Sequence, residues 1–382
     1  MIYLAILILL LCTALIPERK KGVVSYIFLY LILTLVAGLR YRVGGDTLAY
    51  INDFNKLPQF ADLPRFDYLN APYNPLWYIF NAFVKAVWND FVFFQLIHAA
   101  IVNGAVFWFF NKYCKYKYVA VLFYYILYYT YFNMEILRES LAIAVFLLSV
   151  PSLIAKKWFK YYTLAFIAVF LHSSAMMLFF LPILYKRLSR KYILLMCLLL
   201  ILLPIINIEN VLMIFSFTDQ IAIKIKSYMS SEINIFGVLM QLLVVLPTLV
   251  FHFVRKKNDI GQHVFQNNVS PYLIIGILSL ILGGFYRFLN YLALLNVVYL
   301  ADTFCSIQTL KKSSNYSSKL ANFAIVMLLI HQIYYYVRDT SEYRIGTRFY
   351  MLYFPYHTVF DPQIELNRER IYINMMDLDY HY

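Results

Sequence analysis

Charged residues make up only 14% of this 382-residue chain, against the roughly 25% usual in a soluble domain. With 62% hydrophobic residues and a mean hydropathy of +0.66, that shortage excludes a soluble globular protein. Glycine is also scarce. Its 11 residues include just two adjacent pairs, Gly44-Gly45 and Gly283-Gly284, neither within a glycine-rich phosphate loop. The sequence therefore gives no sign of ATP or a nucleotide-sugar donor, and no cofactor is expected. Its four cysteines (Cys12, Cys114, Cys197 and Cys305) lie far apart, in or beside apolar runs. That spacing fits neither a disulfide framework nor a metal site, so no metal is expected. No basic segment precedes the apolar run 2–16, and the charges Glu18-Arg19-Lys20-Lys21 follow it. It reads as a retained first helix rather than a cleaved signal. No repeat of 20–50 residues is evident.

What the chain has instead is long apolar runs. They fall at about 2–16, 23–39, 73–88, 91–110, 118–132, 138–150, 161–185, 191–206, 236–254, 271–285, 288–305 and 319–337. Several are shorter than the roughly 20 residues of a straight spanning helix. Such interrupted segments are tolerated at membrane depth where they line a protein cavity. The expected fold is an all-α polytopic membrane protein with roughly 11–13 transmembrane or partial helices. Residues 1–337 form the polytopic domain, with outer loops 40–72 and 207–235, and 338–382 form an extracytoplasmic tail.

The net charge of +13 would suggest nucleic acid in a soluble protein. In a membrane protein, basic loops facing anionic lipid explain it, and no nucleic acid is expected. Six basic clusters fall at 19–21, 112–117, 156–160, 186–191, 255–257 and 311–319. Placing all of them in the cytoplasm satisfies the positive-inside rule. This leaves a parity conflict between loop 40–72 and residues 112–117. Either 73–88 only dips into the membrane or the 112–117 cluster is outside. The run 161–185 must likewise go out and back, turning near His172-Ser173-Ser174. The two basic residue types separate by face. The six clusters hold fifteen of the nineteen lysines but only four of the fourteen arginines. Arginine offers a planar fork suited to phosphate and carboxylate, whereas lysine is a hydrated point charge. An arginine-rich outer face points to an anionic ligand there.

The stretch Arg40-Tyr41-Arg42-Val43-Gly44-Gly45-Asp46 follows an apolar run and concentrates this chemistry. Once the helix has ended at the glycine pair, Arg40 and Arg42 in extended chain share a side, and Asp46 can accept a proton or orient a guanidinium. Arg138 follows Glu135 by three residues, a spacing that allows an ion pair on a helix face. An arginine at membrane depth is a functional candidate by default. Arg287 follows the second glycine pair, with Tyr286 and Asn290 nearby, although helix packing through the glycines would explain the same pattern. His172, at a break between apolar half-runs, can act as a base or donate to a phosphate oxygen; a packing role is equally ordinary. The group Tyr124, Tyr125, Tyr128, Tyr129 and Tyr131 reads first as packing or an interfacial belt. Tyr356 and His357, after Pro355, add a polar-aromatic stretch. Glu139, Tyr286, Tyr356 and His357 complete the set as substrate contacts of second rank.

In order along the chain, several of these pieces resemble the EpsG family of bacterial polysaccharide-biosynthesis membrane proteins, related to Wzy-type repeat-unit polymerases. They are Gly38-Leu39-Arg40-Tyr41-Arg42-Val43-Gly44-Gly45-Asp46-Thr47 with Tyr50, Arg138-Glu139-Ser140-Leu141-Ala142, Phe170-Leu171-His172-Ser173-Ser174-Ala175, Arg287, and Pro355-Tyr356-His357-Thr358-Val359-Phe360. Glu139 departs from the pattern, where Gln is more usual. The resemblance implies a metal-independent glycosyltransferase in the bacterial cytoplasmic membrane, with its active site on the extracytoplasmic face. Its partners would be polyprenyl-diphosphate-linked glycans as donor and acceptor, membrane lipid, and a chain-length regulator. Arg40, Arg42, Arg138 and Arg287 would hold the diphosphate, and His172 or Asp46 would be the base. A lipid-linked glycan flippase is the competing reading, as are a ligase and an O-acyltransferase that modify glycans. Arginines confined to one face disfavour alternating access. An outward His172 disfavours acyl transfer from the cytoplasm.

Overall fold

The structure is a computed structural model that describes residues 1–16, 22–68, 70–185, 189, 235–281, 283–309, 315–340 and 347–379. The expected run 191–206, and all but the last residue of loop 207–235, lie outside the described residues. In chain order the helices are α1 (Ile2–Leu15), α2 (Val23–Gly38), α3 (Thr47–Lys56), α4 (Pro75–Val87), α5 (Phe91–Tyr113), α6 (Lys117–Leu127), α7 (Tyr129–Met134), α8 (Leu137–Ile154) and α9 (Trp158–Leu171). They continue with α10 (Leu181–Leu184), α11 (Ile235–Lys257), α12 (Val269–Ile281), α13 (Tyr286–Thr309), α14 (Asn315–Val337) and α15 (Leu366–Asp379). No strand occurs among the described residues, only isolated β-bridges. Among the described residues, five helices are long and apolar enough to cross a bilayer, beginning with Phe91–Tyr113 and Leu137–Ile154. The protein is an all-α, multi-pass membrane protein.

The apolar runs recur as helices, with breaks the hydropathy did not fully resolve. Run 73–88 becomes α4, whose 13 residues reach about 20 Å at 1.5 Å per residue. That is short of a hydrocarbon core of about 30 Å. It buries Trp77, Tyr78 and Asn81 while exposing Ile79 and Phe83. Run 161–185 ends its helix at Leu171, and a 3-10 segment, Ser173–Phe179, follows His172. Run 118–132 is interrupted at Tyr128, and a second break at Glu135-Ile136 separates α7 from α8. In the loops the chain adds two helices that apolar runs could not announce, α3 and α15.

Contacts group the chain into two compact units. The first comprises Met1–Met176 and Gln332–Tyr382. At its centre α5 packs on α2 and on α8. The close approach of α2 to α5 needs glycine at position 38, where a Cβ would fall 2.6 Å from a Leu96 methyl. Three of the buried polar contacts in this core join its helices. Asn103 donates to Asn133 (3.0 Å), Tyr124 donates to Asn103 (2.9 Å), and Tyr129 donates to the Leu33 carbonyl (2.6 Å). Unmatched, such groups would cost more than their hydrogen bonds contribute. The tyrosine group is therefore packing: Tyr124 and Tyr129 are fully buried.

The helices α8 and α9 form a hairpin through residues 155–157, where Lys156 is left-handed (φ 54°). The antiparallel arrangement brings the start of α8, with Arg138, to the same end as His172. The Asn74 side chain donates to the Val169 carbonyl (2.9 Å), which fixes the start of α4 there too. His98 on α5 donates from Nε2 to the Leu137 carbonyl (2.9 Å), because a carbonyl can only accept.

The second unit, Met177–His331, is built on α11, α12 and α13. Gly276 lets α12 press on Val245 of α11. Thr248 and Asn296 are hydrogen-bonded (3.1 Å), and Arg255 donates to the Gly261 carbonyl (2.7 Å) and to Thr303 (3.1 Å). His263 meets Asp302 at 3.1 Å.

In the first unit, Gly44 has φ +125°, and a Cβ there would lie 2.5 Å from Thr47 Oγ1 and 2.6 Å from the Met134 carbonyl. Gly44→Ala is expected to cost roughly 1–3 kcal/mol of strain. It should lower the melting temperature of the detergent-purified protein. Gly261→Ala, in open space, should leave the melting temperature unchanged.

Candidate functional site

The loop after α2 is built on arginines that bond to main chain and to the C-terminal segment. Arg40 is 1% exposed. Its Nε donates to the Val43 carbonyl (2.9 Å) and its Nη1 to the Ala37 carbonyl, while Nη2 has no partner. Burial lowers its pKa to about 10, so it stays charged at neutral pH. Arg42 is left-handed (φ 54°) and makes a two-toothed ion pair with Glu369, both contacts at 2.7 Å. Arg368, equally buried, donates to the Arg42 carbonyl (3.1 Å) and to the Pro355 carbonyl (2.7 Å). Main-chain bonds from Tyr41 to His357 and from Gly44 to Leu352 (both 2.9 Å) complete the seam. Tyr356 belongs to it as well, donating to the Val36 carbonyl (2.8 Å).

Arg138 sits differently. It occupies the first turn of α8, where the helix dipole already favours an anion. Its guanidinium lies over the Tyr73 ring, 4.1 Å from the centroid, with Nε buried and unbonded. The Tyr73 hydroxyl donates to Asp53, and Tyr50 is the other phenol beside Arg138. Burial, then the bond to Asp53, pushes the Tyr73 hydroxyl well above its ordinary pKa. Both phenols remain neutral at neutral pH and form no ion pair with Arg138. No carboxylate forms an ion pair with Arg138 among the described residues.

The expected partner, Glu135, is instead taken by α14. Tyr335 donates to both its carboxylate oxygens, at 2.8 and 2.9 Å. Glu135 sits on the break between α7 and α8 and presses on Gly45, where a Cβ would lie 2.7 Å from its Cγ. That contact places it beside Asp46. Burial first, and then the charge of Asp46, push the Glu135 carboxyl up to about 8. Tyr335 and Arg338 pull the other way. Arg338 stacks on Phe349 (4.1 Å) and Tyr335 (4.7 Å), with its own Nε buried and unbonded. A ring-supported arginine, Arg338, thus accompanies the buried carboxyl, and cation–π support of this kind holds a guanidinium in place without neutralising it.

Of the other expected residues, Asp46 is exposed at the N-cap of α3. His172 is buried at the end of α9 and accepts the Ser174 amide at Nδ1 (3.3 Å). A neutral ring then carries its proton on Nε2, where it is a donor. Glu139 is buried one residue past Arg138. His357 is half-buried, its carbonyl taken by Tyr41. Arg287 and Tyr286 belong to the second unit, in the first turn of α13, half-buried and exposed respectively. The structure thus gathers Asp46, Arg138 and Glu139 with His172 at one end of the first unit, and puts Arg40, Arg42, Tyr356 and His357 along the seam. An open groove of about 440 Å³ lies between α3 and α15, lined by Arg42, Ile51, Asn52, Asn55 and Tyr372.

Sequence reasoning missed Tyr73, Tyr335 and Arg338 as neighbours of this cluster, and named Glu135 only as an ion-pair partner. The i, i+3 spacing of Glu135 and Arg138 presumed an unbroken helix, which the break at Glu135-Ile136 prevents.

A family model described as the EpsG family matches residues 23–358, from the start of α2 to the bridge between Arg40 and Thr358. No curated protein and no solved structure matches the chain.

The raised pKa of Glu135 links protonation to stability. A carboxyl that binds its proton more tightly when folded contributes stability at low pH and loses it as pH rises through the folded value. The melting temperature in detergent should therefore fall between about pH 5 and pH 9, and Glu135→Gln should flatten that part of the profile.

Proposed function

The chain belongs to the EpsG family, and on that premise we propose that it polymerises glycan from polyprenyl-diphosphate-linked repeat units at the outer face of the bacterial cytoplasmic membrane. The observation that carries this reading is Arg138. An arginine on the first turn of a membrane helix, stacked on Tyr73 and in no carboxylate ion pair among the described residues, is a standing site for an anion. A lipid diphosphate supplies one. The product is an O-antigen, capsule or exopolysaccharide, and a chain-length regulator is the further partner in this scheme.

In the reaction, a hydroxyl of the acceptor glycan attacks the anomeric carbon of the donor. The bond from that carbon to the diphosphate oxygen breaks, and its electron pair leaves with the phosphate. Negative charge grows on the leaving group as the bond opens. Arginine held beforehand at that position lowers the barrier without reorganising. Arg138 is the central contact in this scheme. His172, with its proton on Nε2, donates to a phosphate oxygen. Arg40 has one free nitrogen to offer, and Arg42 serves by holding the loop that carries Asp46. The expectation adds Arg287, which is tested in the same assay. A base takes the acceptor proton, and the sequence candidates for it are Asp46 and His172.

The test is reconstitution of the full chain into vesicles with lipid-linked repeat units extracted from cells that lack it. New glycosidic bonds are the expected result. Arg138→Ala should lower the rate about 100- to 1000-fold, the usual loss for one fixed charge-stabilising donor, with protein level intact. Transbilayer movement of the units without bond formation would make the protein a flippase. Unchanged polymer from Arg138→Ala would remove that residue from the site.

A further inference from the structure

The reaction above needs a proton acceptor, and the two sequence candidates are poorly placed for it. His172 accepts at Nδ1, which leaves the proton of a neutral ring on Nε2 as a donor, and Asp46 is an exposed carboxylate. A third group has been built into the same cluster with more care. We propose that Glu135 is the catalytic base, taking the proton of the acceptor hydroxyl while Asp46 and Arg138 flank the reacting groups. This inference rests on the polymerase reading and adds the residue that moves the proton.

The placement of Glu135 is hard to explain by stability alone. It is 9% exposed, and no arginine or lysine forms an ion pair with it among the described residues. Burying an unpaired carboxyl is costly. The chain nevertheless breaks a helix there and leaves Gly45 without a side chain to make room for it. One neutral phenol, Tyr335, orients both oxygens. The charged and titratable groups around it are Asp46 before α3, and Tyr335, Tyr336 and Arg338 on α14 and just beyond it. A carboxyl so placed binds its proton far more tightly than a surface glutamate does. A base works best when its pKa lies near the working pH.

Balance is simple. The acceptor O–H bond breaks and its proton goes to Glu135, as oxygen bonds to the anomeric carbon and the diphosphate departs with its electron pair. Glu135 afterwards returns the proton to solvent past Asp46. Arg338, stacked beside Tyr335, keeps the ionised form accessible.

The experiment uses the full chain in vesicles, with the extracted lipid-linked units as substrate and undecaprenyl diphosphate as the binding probe. Glu135→Gln should lower polymerisation about 100-fold or more, in the range of a lost general base, with probe affinity unchanged within about twofold. Tyr335→Phe removes the hydrogen bond that favours the charged form. It should shift the acid limb of the rate profile to higher pH, which a structural role would not do. Glu135→Asp should keep measurable activity, and guards against a Gln variant that fails to fold. Wild-type rates from Glu135→Gln, alongside a dead Arg138→Ala, would overturn this assignment and leave the polymerase reading standing. A wild-type protein that makes no glycosidic bonds would overturn both.

Discussion

Arginine against main-chain carbonyl is the interaction on which the cluster of charged groups depends. Arg40 caps the end of α2 from inside, and Arg368 reaches across from α15 to the carbonyls of Arg42 and Pro355. Each satisfies acceptors that a helix end or an irregular loop leaves open. A lysine could not do this, since its single ammonium lacks the fork. Both guanidiniums tie down the loop 39–45, whose course lays Gly44 and Gly45 on the break at Met134-Glu135. The positions of Asp46 and Glu135 follow from it.

The arginines therefore divide by what they touch. Arg40, Arg42 and Arg368 are spent on carbonyls and on Glu369, whereas Arg138 and Arg338 lie on aromatic rings. The ring-supported pair keeps its charge available to a ligand. The seam keeps the loop still. Preorganisation of this kind is what a transition state with growing charge rewards.

Much of this was legible in the sequence. The apolar runs and the break at His172 came from hydropathy and from one histidine between two apolar halves. Arg138 stood out because an arginine beside an apolar run demands a reason. The rest depended on long-range pairing that no local pattern encodes. Glu369 finds Arg42 across 327 residues, and Tyr335 finds Glu135 across 200. The helix α3 was hidden within a polar loop because its apolar face is narrow, and α15 because polar residues interrupt its apolar ones. Both are stabilised by tertiary contact rather than by propensity.

The seam also has a bearing on biosynthesis. The loop at 39–45 leaves the ribosome well before its partners at 352–369. Closing so long a loop is slow, because its entropy must be lost before any contact is gained. Nascent chains still short of residue 369 thus lack the clasp that sets the charged cluster. The clasp can close only once the helices that precede residue 352 have been made.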